Sequence, residues 1–330
     1  MDPVNRILLD RIQRAFPLTG KPYLALGEGL GIGERETRRR IGTLKEEGLV
    51  RQIGAIFNTG AVGYQSSLVA MSVPDEEVER AAEAINRYPG VSHNYLRPGR
   101  FNLWYTVAIP PGRSVEALVE KLSRSSGGWP TLVLPALRKF KLAVVLDVLE
   151  EGGGPSPAES PAPPPVQSSA PFELTESNIR VVRCIQEDLP LQERPFLKWA
   201  RDLGMEEDRL LDLTARWVDR GIVRRFAAVL NHRQAGFNAN GMIVWRCPES
   251  SMEESGRALA AYPEVSHCYE RKSHPRWPYN LYAMVHGRTE EECRRIAEKL
   301  ASTIGIMDYR ILFSRREFKK IRLKLFWDET

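Results

Sequence analysis

Little in this sequence invites a membrane, a disulfide framework or a resident metal. The longest apolar run, LAVVLDVL over 142–149, is far too short to cross a bilayer and contains Asp147. The first residues, MDPVNRILLD, lack a basic start followed by an apolar core, so a secretory leader is not expected. Only four cysteines occur, Cys184, Cys247, Cys268 and Cys293, widely spaced and without a CxxC pair. That spacing argues against disulfide scaffolds and structural zinc sites, and a reducing cytoplasm is the plain expectation.

What is present is an ordinary globular composition of 330 residues, 42% apolar and 27% charged, with a net charge of +5. The length allows several domains. The positive balance suits a polyanion, either nucleic acid or a small molecule bearing many carboxylates. Between Glu150 and Phe172 the chain reads EEGGGPSPAESPAPPPVQSSAPF, which has almost no large apolar residue and cannot form a core. Its prolines favour extended geometry at about 3 Å per residue, as expected of a linker.

The flanks of this linker are copies of each other. GLVRQIGAIFNTGAVGY (48–64) matches GIVRRFAAVLNHRQAGF (221–237), YPGVSHNYLR (88–97) matches YPEVSHCYER (262–271), and FNLWYTVAIP (101–110) matches YNLYAMVHG (279–287). RKFK (138–141) resembles REFKK (316–320). A repeat of this length is a duplicated protein rather than a solenoid module.

Each copy begins with apolar residues at helical spacing, predicting helices at 4–16, 22–30 and 34–47, and again at 176–188, 195–203 and 206–220. Gly48 and Gly221 stop the third helix of each set, and an extended wing follows. The rest of each copy alternates strand and helix as β-α-β-β-α-β, the ferredoxin-like order. The expected fold is therefore α+β, a tandem repeat of winged helix-turn-helix and ferredoxin-like domains. The boundaries fall at 1–62, 63–149, 150–172 (linker), 173–236 and 237–330.

This layout resembles the Lrp/AsnC-type regulators, once per half. The resemblance implies paired α/β modules and makes a DNA-binding transcription regulator with a small-molecule sensing domain one reading. The third helices weigh against it. ERETRRRIGTLKEEG carries five cations and four acids, but MEEDRLLDLTARWVDRG carries five acids and three arginines and opens on Glu206-Glu207-Asp208. An acidic start repels phosphate, so DNA is not the expected partner.

Chemistry gathers on the second strand of each α/β module. His93, Tyr95 and Arg97, and His267, Tyr269 and Arg271, occupy alternate positions and so share a face with Val91 and Val265, leaving Ser92, Asn94 and Leu96 on the other. A His-Tyr-Arg row suits an anionic ligand better than a dry core.

VSHNYLR…FNLWYTV and VSHCYERKSHPRWPYNLYAMVHG resemble the two subunit types of the siroheme decarboxylases, over both halves and excluding the linker. That resemblance implies non-oxidative loss of the acetate carboxylates at carbons 12 and 18 of siroheme, with no separate cofactor, the iron tetrapyrrole being the substrate. Arg97, Arg100, Arg271, Lys272 and Arg276, with Arg51, Arg224 and Arg225 on the wings, are then expected to hold substrate carboxylates. Tyr95, Trp104, Tyr105, Tyr269, Trp277 and Tyr282 are expected to wall the ring. His93 and His267 become proton donors, axial ligands of the substrate iron, or one of each, with His286 a third catalytic candidate. The counterpart of His286 in the first half reads as Ile109-Pro110. The halves are expected to pair as a pseudo-heterodimer, with a higher oligomer left open.

Overall fold

The structure, a computed structural model, describes residues 2–142, 171–230 and 239–327. In the first half the elements run α1 (Pro3–Arg14), α2 (Pro22–Glu28), α3 (Glu34–Glu46), β1 (Val50–Phe57), β2 (Gln65–Met71), α4 (Val78–Asn86), β3 (Val91–Leu96), β4 (Leu103–Ile109), α5 (Val115–Ser125) and β5 (Thr131–Leu142). In the second they run α6 (Glu176–Ile185), α7 (Pro195–Leu203), α8 (Glu207–Asp219), β6 (Val223–Leu230), β7 (Ala239–Trp245), α9 (Met252–Ala261), β8 (Val265–Arg271), β9 (Leu281–Gly287), α10 (Glu290–Ile304), β10 (Tyr309–Phe313) and β11 (Arg316–Lys320). Most of the expected linker lies outside the described residues. The glycine stops are where the sequence puts them, with Gly48 and Gly221 at φ of 72° and 68°, a region costly for other residues.

The elements gather into two compact units, each drawing on both halves of the chain. One unit holds α1–α3 and β1 together with α6–α8 and β6. The wing strands do not form separate hairpins. β1 pairs antiparallel with β6, in a register that sets Ile53 against Ala228 and Ala55 against Phe226. Phe16, Tyr23, Phe196 and Phe226 pack ring against ring beneath them. Tyr23 donates its hydroxyl to the carbonyl of Pro190, and Asp188 accepts from the N–H of Ile53, so the two helical sets share one core.

The other unit holds the two βαββαβ modules, whose strands form a sheet in the order β10-β7-β9-β8-β5-β2-β4-β3-β11. Each module keeps the ferredoxin-like order, β5-β2-β4-β3 and β10-β7-β9-β8. The final strand of each module crosses to the other. β5 pairs with β2 as far as Pro135 and then with β8 from Ala136 onward. The equivalent second-half strand is broken into β10, paired with β7, and β11, paired with β3. β10 and β11, successive on the chain, stand at the two ends of this strand order and are short, as edge strands often are.

Burial follows strand alternation. Val69, Met71, Leu103, Tyr105 and Val107 pack under α4 and α5, while Ile243, Trp245, Leu281, Ala283 and Val285 pack under α9 and α10. The faces turned from the helices meet each other in a third core that joins Ala70, Phe101, Trp104, Leu132 and Leu134 to Met242, Val244, Trp277, Tyr282 and Leu312. Phe140 of β5 packs into the second module's helix-side core and Phe318 of β11 into the first's.

Candidate active site

The two histidine strands carry the same irregularity. Val91 lies opposite Val107 but His93 lies opposite Thr106. Likewise Val265 lies opposite Val285 and His267 opposite Met284. One extra residue, Ser92 or Ser266, is therefore bulged into each strand. The bulge corrects the expectation that Val91 and Val265 share the histidine face. Both valines sit in the helix-side cores, and each serine is brought round to its own histidine. Ser92 Oγ lies 2.9 Å from His93 Nδ1 and Ser266 Oγ 3.0 Å from His267 Nδ1.

Beyond the bulge, alternation holds and the rows form stacks. The rings of His93 and Tyr95 are 6.2 Å apart, as are those of His267 and Tyr269, the second pair tilted by only 19°. The Arg97 guanidinium lies 5.3 Å from the Tyr95 ring centre, and that of Arg271 4.8 Å from Tyr269 and 5.4 Å from Tyr282. Both arginine heads are buried and donate to strand carbonyls of the other half, Arg97 to Leu312 and Arg271 to Leu134 at 2.8 Å. Burial pulls the Arg97 guanidinium down to about 10 and lowers that of Arg271. These two side chains tie the crossing strands together, a contact that the sequence did not show.

Trp104 is corrected more plainly. It is 1% exposed, donates its N–H to the Phe101 carbonyl at 2.7 Å, and meets Trp277 edge-on at 5.3 Å. It is an interior side chain of the inter-sheet core, not a wall for a ring. Trp277 and Tyr282 belong to the same core, and Tyr105 lies under α4 and α5.

His286 joins the site through Ser266, whose Oγ lies 2.8 Å from its Nε2. The registers set His286 opposite Asn240 and Ala108 opposite Ser66, so the first-half counterpart of His286 is Ala108 rather than Ile109-Pro110. The surrounding layer is polar in the second half, where Ser314 donates to Asn240 at 2.9 Å. In the first half the corresponding positions are Ser66 and Ala136.

Arg100, Lys272 and Arg276 are exposed, in the loops after β3 and β8. Lys272 donates its backbone N–H to Pro135 on β5, and its charge helps hold the Glu116 carboxyl below its ordinary range, after the effects of that residue's own backbone and Ser114. Arg51 and Arg224, exposed, and Arg225, half-buried, lie on β1 and β6 of the other compact unit. Two further cations stand beside the histidine rows. Lys320 lies directly opposite His93 and Lys139 directly opposite Tyr269, which places each exposed ammonium stem on a histidine face. The RKFK/REFKK likeness was the available signal, but only the register connects it to the histidines.

Other features do not compete with this site. Among the described residues no group of three or more His, Cys, Asp and Glu could hold a metal, and no helix is long and apolar enough to cross a membrane. A cavity of about 700 Å³ lies in the helical unit, but its charges are largely paired, Lys21 with Glu193 and Lys198 with Asp202. On α3, Arg38 pairs with Glu34, Arg39 and Arg40 with Glu36, and Lys45 with Asp188. On α8, Glu207 is buried against Arg194. Four cations of α3 are thus committed to carboxylates and α8 opens on acids, which weighs against groove binding.

Known protein families match both kinds of domain. An AsnC-like ligand binding domain matches residues 61–141 and 234–319, and a siroheme decarboxylase NirDL-like HTH domain matches 5–51 and 178–224. The chain is 41% identical to a siroheme decarboxylase of Hydrogenobacter thermophilus, over 98% of this chain and 95% of that one. It is 40% identical to a siroheme decarboxylase beta subunit of Methanosarcina barkeri, which spans 46% of this chain and is matched over its whole length. The crystal structure of the siroheme decarboxylase NirDL in complex with an iron-uroporphyrin III analogue superposes with a TM-score of 0.78 at 35% identity, covering 98% of this chain and 94% of that one.

Proposed function

This chain belongs to the siroheme decarboxylase family, and from that premise we propose where and how it removes carboxyl groups from siroheme. It is a carboxy-lyase. The reaction is the loss of the acetate carboxylates at carbons 12 and 18, giving 12,18-didecarboxysiroheme. In each loss the bond between the acetate methylene and its carboxylate breaks and CO2 departs. The electron pair passes into the protonated pyrrole system, and a proton ends on the methylene carbon, leaving a methyl group. No electron is gained or lost overall, so the reaction calls for an acid and a binding surface but no separate cofactor.

The observation that carries the reading is the Ser-His pair held on a β-bulge at the same place in both halves. Histidine near neutral pH is suited to give the proton. His93 and His267 are the groups that face the substrate, with Tyr95 and Tyr269 stacked beside them. Lys139, Lys272, Arg276, Arg100 and Lys320 receive its peripheral carboxylates. The two halves work as a pseudo-heterodimer, in keeping with crossing strands and with relatives whose halves are separate subunits. The four cysteines are unpaired, which supports a cytoplasmic home.

The deciding experiment is anaerobic incubation of the purified protein with siroheme, followed by mass spectrometry. Two successive losses of CO2 are expected. Unchanged siroheme together with a tight, salt-dependent shift of specific DNA would replace the reading with the regulator.

A further inference from the structure

Ser266 makes three contacts that together settle its chemistry. Its Oγ lies 3.0 Å from His267 Nδ1, 2.8 Å from His286 Nε2 and 3.3 Å from the carbonyl oxygen of Met284. A hydroxyl has one proton and two lone pairs. The carbonyl can only accept, so the hydroxyl proton goes to Met284. Both lone pairs then accept from histidine, one from Nδ1–H of His267 and one from Nε2–H of His286. All three contacts are satisfied at once only in this arrangement, and Ser266 is itself 5% exposed, so water does not compete freely for the lone pairs.

We infer that Ser266 is a positioning residue that holds His267 as the Nδ1–H tautomer and so makes Nε2 of His267 the nitrogen that delivers the proton. The inference rests on the siroheme reading and deepens it by choosing between the two halves. The arrangement suits an acid because Nδ1 carries hydrogen in both the neutral ring and the imidazolium. Gaining and losing the Nε2 proton therefore leaves the Ser266 contact intact. His286 fills the second lone pair and keeps the hydroxyl from turning its proton toward His267, where it would oppose the charged form. The first half is built differently. Ser92 Oγ approaches His93 Nδ1 at 2.9 Å, but Ala108 stands where His286 would be, and the Ser92 hydroxyl has no further hydrogen bond among the described residues. Ser92 by its own contacts therefore leaves the direction of that bond unset, whereas the contacts of Ser266 fix it.

The test compares Ser266→Ala, Ser266→Thr and Ser92→Ala in the full chain, with siroheme turnover and histidine 15N NMR as readouts. Ser266→Ala should lower kcat at least tenfold while KM changes less than twofold, because the serine acts on proton delivery rather than on the substrate periphery. Ser266→Thr, which keeps the hydroxyl, should recover most of that loss. Ser92→Ala should lose several-fold less than Ser266→Ala. In the resting protein, His267 should show the Nδ1–H tautomer, and Ser266→Ala should shift it toward Nε2–H. A Ser266→Ala protein with wild-type kcat, an unchanged His267 tautomer, or an equal loss in Ser92→Ala would overturn the inference. Wild-type protein that leaves siroheme intact would instead sink the functional reading, and the tautomer signals would register that separately.

Discussion

The guanidinium of Arg271 donates to the backbone carbonyl of Leu134, 2.8 Å away and in the other half of the chain. Arg97 does the same to Leu312, its counterpart after the duplication. These two contacts sit where each final strand leaves its own module and enters the other. Removing a charged donor of this kind costs about 1.5–3 kcal/mol, and the lost packing of the stem adds to it. Arg271→Ala should accordingly lower the unfolding free energy read from urea titration by an amount in that range or above, with a lower midpoint. A variant of normal stability that binds siroheme more weakly would return Arg271 to the role expected from the sequence.

His93→Ala and His267→Ala should each leave the fold intact while removing a group that faces the substrate. General acid catalysis is worth about 10²–10⁴-fold, and His267→Ala should lose at least that much in turnover. The check is CO2 release alongside far-ultraviolet circular dichroism. Normal rates from both variants would discard the histidine mechanism.

Gly256 lies on α9 against Phe140 of the crossing strand. A Cβ placed there would come within 2.3 Å of the Phe140 ring. Alanine gains about 1 kcal/mol of helix propensity over glycine, but overpacking a fitted core costs about 1–3 kcal/mol, and the clash should win. Gly256→Ala should be less stable than wild type in urea unfolding. Adding Phe140→Leu should recover part of the loss, since the obstacle is that ring.

Alkaline pH should weaken the fold. Burial raises Cys184 and Cys268 to about 12 and Cys293 to about 11, and it also raises Tyr23, Tyr105 and Tyr282. These groups stay protonated in the folded chain at pH values where the unfolded chain ionises, from about 9 for cysteine and 10 for tyrosine. Their contribution is thus complete below pH 9 and declines as pH rises above it. Lys141, Lys319, Arg97, Arg225 and Arg271, lowered by burial, act in the opposite sense, while Lys21 and Lys198, raised by their carboxylate partners, act with the six, so five groups stand against eight. Urea midpoints measured under reductant from pH 8 to 11 should fall, and a flat or rising series would contradict the assignment.

Lys320 stands opposite His93, and its stem is exposed. Lys320→Ala should raise KM for siroheme several-fold with little change in kcat, because a peripheral cation binds substrate and transition state alike. An unchanged KM would remove it from the site.

Much of this could be read along the chain, because it depends on local periodicity and on likeness between the halves. The helices, the glycine stops, the βαββαβ order and the His-Tyr-Arg rows all follow from spacing. What resisted was whatever hung on one extra residue or one partner strand. A bulge at Ser92 or Ser266 leaves no mark in a period-two pattern, yet it moves Val91 and Val265 to the helix side. Trp104 reads as a ring wall until the facing sheet is known, for only then does Trp277 close over it. His286 was visible as a histidine, but its link to His267 passes through a serine on a neighbouring strand. Lys139 and Lys320 lay in a noted repeat whose place beside the histidines was unknown.

By itself the sequence determined that the protein is a duplicated α+β chain with two histidine strands and unequal halves, since duplication, periodicity and residue identity are properties of one dimension. Only the tertiary structure decided which buried arginines bind the halves together, which aromatic rings are core, and how Ser266 joins His267 to His286. Those outcomes depend on register and on face-to-face packing, where a shift of one residue changes every neighbour a side chain meets.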